Sequence, residues 1–480
     1  MGNPIPDVEF AKQFEISTKK WWQIPYYMYF CGFTANLMIV SLGMNIAWIS
    51  PSLGKLKSND TNINPLGSPI TTLQTSLVTA IPYLIAILTN GVWAKLLDKL
   101  GRKRTMQLGA IILTCSLLGT AFAANISILF VSLIISGMCV NGGIISASVY
   151  NNDIADDSNR GTLGCLLALN LPIGLVLCYF FGSITSIKYL SLICTIPSIF
   201  ILLLSPFICE SPVHLVRNSK ITEAIEALEK LKQTKDSEVI DNEIKKIKDN
   251  IEVMSSCRRK TFLDIFRNRA TRKAVVLCYQ LFCIEQFSGI SPVLAFVGPT
   301  FNKAGLVWSG DTVGIVVGLT KFLATLVALY CIDRTGRRRL LLVSSLSCTF
   351  SLLLLGFSFY IKYIKSPLLD GAPLLSVALI TIFIIVHSLG LGSVPLTYAG
   401  ELFPNDARAT GVSFVIALQQ INLCLVNFTF PILSDIIGEH WCFWINAMAT
   451  LTGFISIYFT IPETKGKAFS EIQNMLLKKQ

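Results

Sequence analysis

The chain has 480 residues, 52% of them apolar and only 14% charged, well below the roughly 25% charged share of soluble domains. Its mean hydropathy is +0.60, and the apolar runs around Ile126 and Leu374 approach the ~20 residues needed to cross ~30 Å of hydrocarbon. A soluble enzyme is thereby excluded and a polytopic membrane protein expected.

Residues 1–25 carry Asp7, Glu9, Lys12, Lys19 and Lys20, with no short apolar core before a cleavage site. No removable signal peptide is expected, and the stretch reads as a cytoplasmic N-terminus in which Trp21 and Trp22 anchor the first span at the interface. A sliding window then predicts twelve spans, centred near residues 37, 84, 114, 139, 173, 198, 285, 321, 350, 386, 422 and 451, in two sets of six. The first six-helix half covers 26–208 and the second 273–462, with a cytoplasmic tail over 463–480. Between the halves, 209–272 is polar, and Ile221, Ile225, Leu228 and Leu231 recur at helical spacing beside Glu226, Glu229 and Lys230, which predicts an intracellular amphipathic helical segment.

Basic residues set the orientation, because Lys and Arg are retained on the cytoplasmic side. With both termini inside, only Lys55, Lys57, Lys188, Lys303, Lys362 and Lys365 fall outside, and Lys321 lies within a span. The net charge of +11 is therefore a topology signal and not a sign of nucleic-acid binding. Asn59-Asp60-Thr61 is a glycosylation sequon on the expected outer face, whereas Asn427-Phe428-Thr429 lies in the eleventh span and should stay bare. Most cysteines, Cys115, Cys139, Cys178, Cys278 and Cys424 among them, sit in apolar runs and read as small buried hydrophobes. With His214, His387 and His440 as the only histidines, no spacing suits a metal, and no glycine-rich phosphate loop implies a nucleotide cofactor.

The halves repeat one another. Asp98-Lys99-Leu100-Gly101-Arg102 follows the second span and Asp333-Arg334-Thr335-Gly336-Arg337 the eighth. Asp153 with Arg160 follows the fourth span, and Glu401 with Arg408 the tenth; Glu210-Ser211-Pro212 follows the sixth, and Pro462-Glu463-Thr464 the twelfth. Each pair is separated by about half the chain, so equivalent charged elements mark the inner ends of both halves. Glycine permits a sharp turn between helices, and the acids and arginines can bridge neighbouring helices in a partly dry setting. Gating by Asp98, Arg102, Asp153, Arg160, Glu210, Asp333, Arg337, Glu401, Arg408 and Glu463 is expected, with the bridges tying and releasing the two halves.

These elements, with Glu223-Ala224, Gln286-Phe287-Ser288-Gly289-Ile290, Glu401-Leu402-Phe403-Pro404 and Lys465-Gly466, carry a resemblance. From about residue 26 to 472 the sequence resembles the sugar porter family of the major facilitator superfamily, and within it the insect facilitated trehalose transporter-like branch. The resemblance implies a twelve-helix major facilitator fold, alternating access of two halves around a midplane site, and an intracellular latch. Against the family's pattern, Ala94 stands for a glycine, Asp153 for a glutamate, Asp156 for a proline and Leu133 for an arginine, the last expected to weaken the inward gate of the first half.

The implied sugar site lies mainly on the second half, where amides suit hydroxyls that both donate and accept. Gln286 keeps the family type, while Glu285 and Lys321 introduce charges where amides are usual. Ser291 replaces an asparagine, Ala295-Phe296 two tyrosines, Leu396 and Gln420 tryptophans, and Ala168 a glutamine with Asn170 the nearest amide. Substrate contact is thus expected from Asn170, Glu285, Gln286, Ser291, Lys321, Gln419, Gln420 and Asn422. A lysine at bilayer depth costs ~2.5 to 3.5 kcal/mol even on the mild insertion scale, so Lys321 and Glu285 are expected to form an ion pair. Proton-linked relatives carry a first-span carboxylate at the position of the neutral Asn45, which favours uncoupled movement. The expected function is facilitative transport of a sugar of the hexose or trehalose class by a plasma-membrane monomer without metal or cofactor. The alternatives are a non-transporting or weakly transporting sugar sensor and a porter whose charged or zwitterionic substrate uses Glu285 and Lys321.

Overall fold

The computed structural model describes residues 25–156, 159–256, 266–303, 309–364, 374–404 and 407–467, together with 471 and 475. The expectations placed on residues 1–24, on the side chains of Lys303 and Asp333, on Lys365 and on most of the tail fall outside these described residues. The described residues form helices and turns, with no strand among them. Eleven helices are long and apolar enough to cross a bilayer: Tyr26–Leu56, Thr72–Leu100, Ile126–Ile154, Arg160–Ile184, Ile187–Phe207, Arg269–Asn302, Gly310–Ile332, Arg337–Tyr363, Leu375–Leu402, Thr410–Ile437 and Glu439–Thr460. Arg102–Ala121 is the remaining span, third in order, whose first turn holds Arg102, Lys103 and Arg104 and so dilutes its apolar density. Each window centre read from the sequence falls inside one of these twelve helices.

Four spans are broken, and the breaks recur at every third span. The first is interrupted at Trp48, the fourth at Met138 and Cys139, the seventh at Ser288 and Gly289, and the tenth from Gly390 to Ser393. Broken helices present free backbone polar groups, which in a bilayer is tolerated only inside protein or along a wet cavity. These four spans therefore face the interior of the molecule. Outward-facing apolar side chains such as Leu88, Leu203, Val343 and Phe459 form a surface suited to lipid, since soluble monomers rarely expose contiguous apolar area.

The face carrying both described chain ends is called inner, and the opposite one outer. Three spans that start on the outer side use their own caps: Thr71 and Gln74 form a reciprocal box, Asn125 accepts from Ile128 N at 2.9 Å, and Ser309 accepts from Thr312 N at 3.3 Å. The third and ninth spans start on the inner side from Gly101 and Gly336, which have no side chain to do this.

Among the described residues, the helices Pro212–Arg217, Ile221–Lys232 and Ser237–Ser256 lie between the halves. Leu228, Ile240 and Ile244 pack between the last two, as the sequence periodicity requires. Leu231 joins Met28, Tyr150, Ile154 and Ile208 of the first half, so this latch is seated on that half.

Candidate functional site

At the inner rim the sequence repeat becomes a structural one. Gly101 has φ +92° and Gly336 φ +94°, a region that residues with a Cβ rarely occupy. Each opens a helix whose first N–H groups are capped by a distant carboxylate. Glu210 accepts from Arg102 N at 2.9 Å and Lys103 N at 3.2 Å. Glu463 accepts from Arg337 N and Arg338 N, both at 3.1 Å. An anion at a helix N-terminus meets free donors and the positive end of the dipole. Arg102 Nε then pairs with Asp153 at 2.8 Å and Arg337 Nη2 with Glu401 at 3.3 Å. The three matched elements therefore converge into one clasp per half.

Each clasp joins elements of its own half. Glu210, Arg102 and Asp153 unite the sixth, third and fourth spans; Glu463, Arg337 and Glu401 unite the twelfth, ninth and tenth. In this outer-closed arrangement these bridges run within each half; self-similarity reveals equivalence and not pairing. The clasps stiffen each half as a unit. Ser211 donates to Asp153 at 2.6 Å, and Arg217 pairs with the half-exposed Asp98 at 2.7 Å, fastening the latch to the first half. Arg408 Nε donates to Phe403 O at 3.4 Å.

His214 adds a titratable member. Arg102 Nη1 lies 3.1 Å from its Nδ1, and arginine can only donate, so Nδ1 accepts and the ring is neutral. Burial first, then Arg102 and Arg217, pull the imidazole pKa below its ordinary 6.5 against the opposing pull of Glu210. Beside it, Lys232 bridges Asp156 at 3.3 Å and Glu243 at 3.2 Å. These groups and Arg160 line an inner cavity of about 470 Å³.

Hydrogen bonds across the two halves run from the middle of the molecule to the outer rim. Tyr179 donates to Leu294 O at 2.8 Å, Gly298 N to Ser50 Oγ at 3.1 Å, and Thr79 to Asn427 O at 2.9 Å. Thr72 meets Asp435 farther out. The outer side is closed in this arrangement. Leu133, buried in the outer part of the fourth span with Asn45, Trp48 and Tyr83 around the same small pocket, lies away from the inner clasp, so the absence of an arginine there does not bear on the inward gate as expected.

The expected substrate residues are unevenly assembled. Spans seven and eleven interlock through polar pairs: Glu285 accepts from Gln419 at 3.4 Å, Asn422 from Tyr279 at 3.4 Å, and Ser291 from Asn427 at 2.7 Å. Asn427 is buried within its span, in keeping with a sequon left bare. Gln286 is buried with its Oε1 unpartnered. Asn170 instead donates to Leu166 O on its own helix at 2.6 Å. Gln420 Nε2 crosses to Asn141 Oδ1 of the fourth span at 2.8 Å, a partner that sequence reasoning missed because a lone amide in an apolar run gives no pattern.

Glu285 and Lys321 do not form the expected ion pair. Both feel the other's charge, and Lys321 also acts on His387, but the carboxylate's hydrogen bond goes to Gln419. Opposite charges on neighbouring spans define a shared environment; the helices' rotation sets whether their ends meet. His387, buried in the tenth span, has no hydrogen-bond partner at either ring nitrogen.

Two six-span units, each closed by its own ionic clasp and packed together mainly through spans two with eleven and five with eight, define a membrane carrier of the major facilitator fold. Residues 9–476 match the family described as "Sugar (and other) transporter", and the chain belongs to that family; it is a carrier and not an enzyme. It is 29% identical over 445 residues to the "Facilitated trehalose transporter Tret1-2 homolog" of Drosophila simulans, covering 92% of this chain and 90% of that protein. It is 30% identical over 399 residues to the "Putative metabolite transport protein YwtG" of Bacillus subtilis (strain 168), covering 82% and 84%. In fold it is similar to the inward-open xylose transporter XylE from E. coli, with a TM-score of 0.78 at 19% identity over 94% of this chain and all of that one.

Proposed function

We infer that this carrier moves a sugar of the hexose or trehalose class down its gradient, as a uniporter working by alternating access. The relatives named as facilitated trehalose transporters support the solute class. The observation that carries the reading is the interior face shared by spans four, seven and eleven, where Asn141, Gln286, Gln419, Gln420 and Asn422 supply neutral donors and acceptors. Such groups suit a polyol; Glu285 is bonded to Gln419 among them, and Ser291, Lys321 and Asn170 are proposed as further contacts. Uncoupled movement is supported by Asn45, an amide that accepts from Ser136 at 2.9 Å and has no proton to carry.

Transport on this reading is a rocking of two stiffened halves. The clasp residues Arg102, Asp153, Glu210, Arg337, Glu401 and Glu463 keep each half rigid while the outer seam and inner rim open in turn, and Asp98, Arg160, Asp333 and Arg408 are proposed to act in the same gating. The carrier sits in the plasma membrane as a monomer, with both termini and the latch of 209–272 cytoplasmic. Asn59, exposed beyond the first span, carries a glycan there. Purified protein in liposomes should take up glucose, fructose or trehalose saturably, at a rate unchanged by a pH gradient. Uptake that accelerates with an imposed gradient overturns the uniport reading, and no saturable uptake of any of the three overturns the solute class.

A further inference from the structure

The bond between Asn141 and Gln420 joins the two halves near the middle of the fourth and eleventh spans, just inward of the contact between Cys424 and Ala80 O in the closed outer seam. Both side chains are more than nine-tenths buried, at 4% and 8% exposure. One bond engages one polar atom of each: Asn141 Nδ2 and Gln420 Oε1 are left without partners. Buried polar atoms are rarely left so. The remainder is a donor on one half next to an acceptor on the other. Exchanging oxygen and nitrogen in both amides, the usual ambiguity of such groups, leaves again one donor and one acceptor.

Asn141 is held firmly in place. It directly follows the break at Met138 and Cys139, where the indole of Trp93 donates to Met138 O and lies against Gly142 so closely that a Cβ there would come within 2.1 Å of the ring. Gln420 is flanked by Gln419, which is engaged with Glu285. A hydroxyl is the group that satisfies both leftover atoms at once, because it accepts one hydrogen bond while donating another.

We propose that Asn141 and Gln420 form a two-handed recognition point for one hydroxyl of the solute, held by both halves simultaneously. The hydroxyl accepts from Asn141 and donates to Gln420, so its identity sets specificity, and the bound solute links the halves at the spacing at which the outer side is closed. The assignment rests on the polyol reading above and adds Asn141 to the binding residues.

The experiment uses purified full-length protein in liposomes, with glucose or trehalose as tracer, whichever enters saturably, and its monodeoxy analogues as competitors. In the natural protein one analogue should compete about tenfold less well than the parent sugar. In Asn141→Ala and Gln420→Ala that gap should shrink to about twofold at the same hydroxyl, with the other gaps unchanged. Asn141→Asp keeps the shape while removing the donor, and carries the same test if the alanine variant fails to fold. Gaps that persist at every position in both variants, with weaker binding of parent and analogues alike, overturn the proposal and leave a structural amide bridge. Absence of saturable uptake by the natural protein removes the polyol reading instead, and this assignment with it.

Discussion

Replacing Gly101 with alanine tests the inner clasp at its tightest point. An added Cβ would lie 2.4 Å from Glu210 Oε2 and 2.9 Å from its Cδ, so the carboxylate must leave. Backbone in this region costs a residue with a side chain about 1–3 kcal/mol. Displacing Glu210 also removes its charge-assisted bonds to Arg102 N and Lys103 N, worth about 1.5–3 kcal/mol for a bond to a charged group. With one of those bonds lost, a destabilisation of about 2.5–6 kcal/mol follows, read as a drop of several degrees in thermal unfolding of the detergent-solubilised protein. Gly336→Ala should act in the same direction, because its Cβ would lie 3.0 Å from Glu463 Oε2. Gly161, with nothing within 4 Å of its added Cβ, is the control: alanine there should leave stability unchanged or raise it by up to ~1 kcal/mol. Should Gly101→Ala melt with Gly161→Ala, the distant-cap account of the third span is wrong.

Breaking the buried Arg102–Asp153 pair from one side, with Asp153→Asn or Arg102→Gln, should cost about 3–5 kcal/mol, and the double variant should lose much less than the sum in thermal unfolding. The same cycle on Glu285→Gln and Lys321→Gln should give nearly additive losses, because those side chains are not in contact; a coupling as large as that of the clasp would restore the ion pair. His214 is held neutral, so the unfolded chain binds more protons than the native one once the pH falls below the ordinary 6.5. Its stabilising contribution is complete above that value and is lost on acidification; melting should weaken from pH 7 to 5.5, and less steeply in His214→Gln. Burial acts to raise the carboxyl pKa of Glu243, but Lys246 and Lys232 outweigh it and hold it below its usual 4.5, so its loss falls in a lower window and does not mask that of His214. Tyr179→Phe deletes one bond of the outer seam and should shift the balance toward the outward-open arrangement by about two- to tenfold, seen as faster deuterium uptake in the segment 290–303; unchanged uptake would remove Tyr179 from the seam.

The twelve spans and the latch were legible because a bilayer imposes length and apolarity that the sequence must write out in full. The third span shows the limit: Arg102 to Arg104 lower its apolar density, yet they are part of the feature that makes the inner repeat visible. Gly101, Glu210, Asp153 and their counterparts could be matched by repetition alone, but which of them bond to one another depends on how spans three, four and six pack. His214 and Arg217 carried no signal, since their roles come from reaching back to Arg102 and Asp98 across the latch. At the midplane, residue types at resemblance-derived positions pointed to Gln419, Gln420 and Asn422, which hydrogen-bond to spans seven and four. They could not find Asn141, whose role depends on a break in the fourth span and on Trp93 bracing it. Charge sign placed Glu285 and Lys321 in one environment without fixing the separation of their ends.

The seating of the latch has a consequence for the mechanics. Arg217 on Asp98, Lys232 on Asp156 and Leu231 among Met28, Tyr150 and Ile154 give the first bundle an extra inner layer, so the two pseudo-equivalent rotors differ in mass and stiffness. The extra bracing leaves the second bundle the more deformable partner of the pair, so the symmetry written into the repeat is not carried into its mechanics.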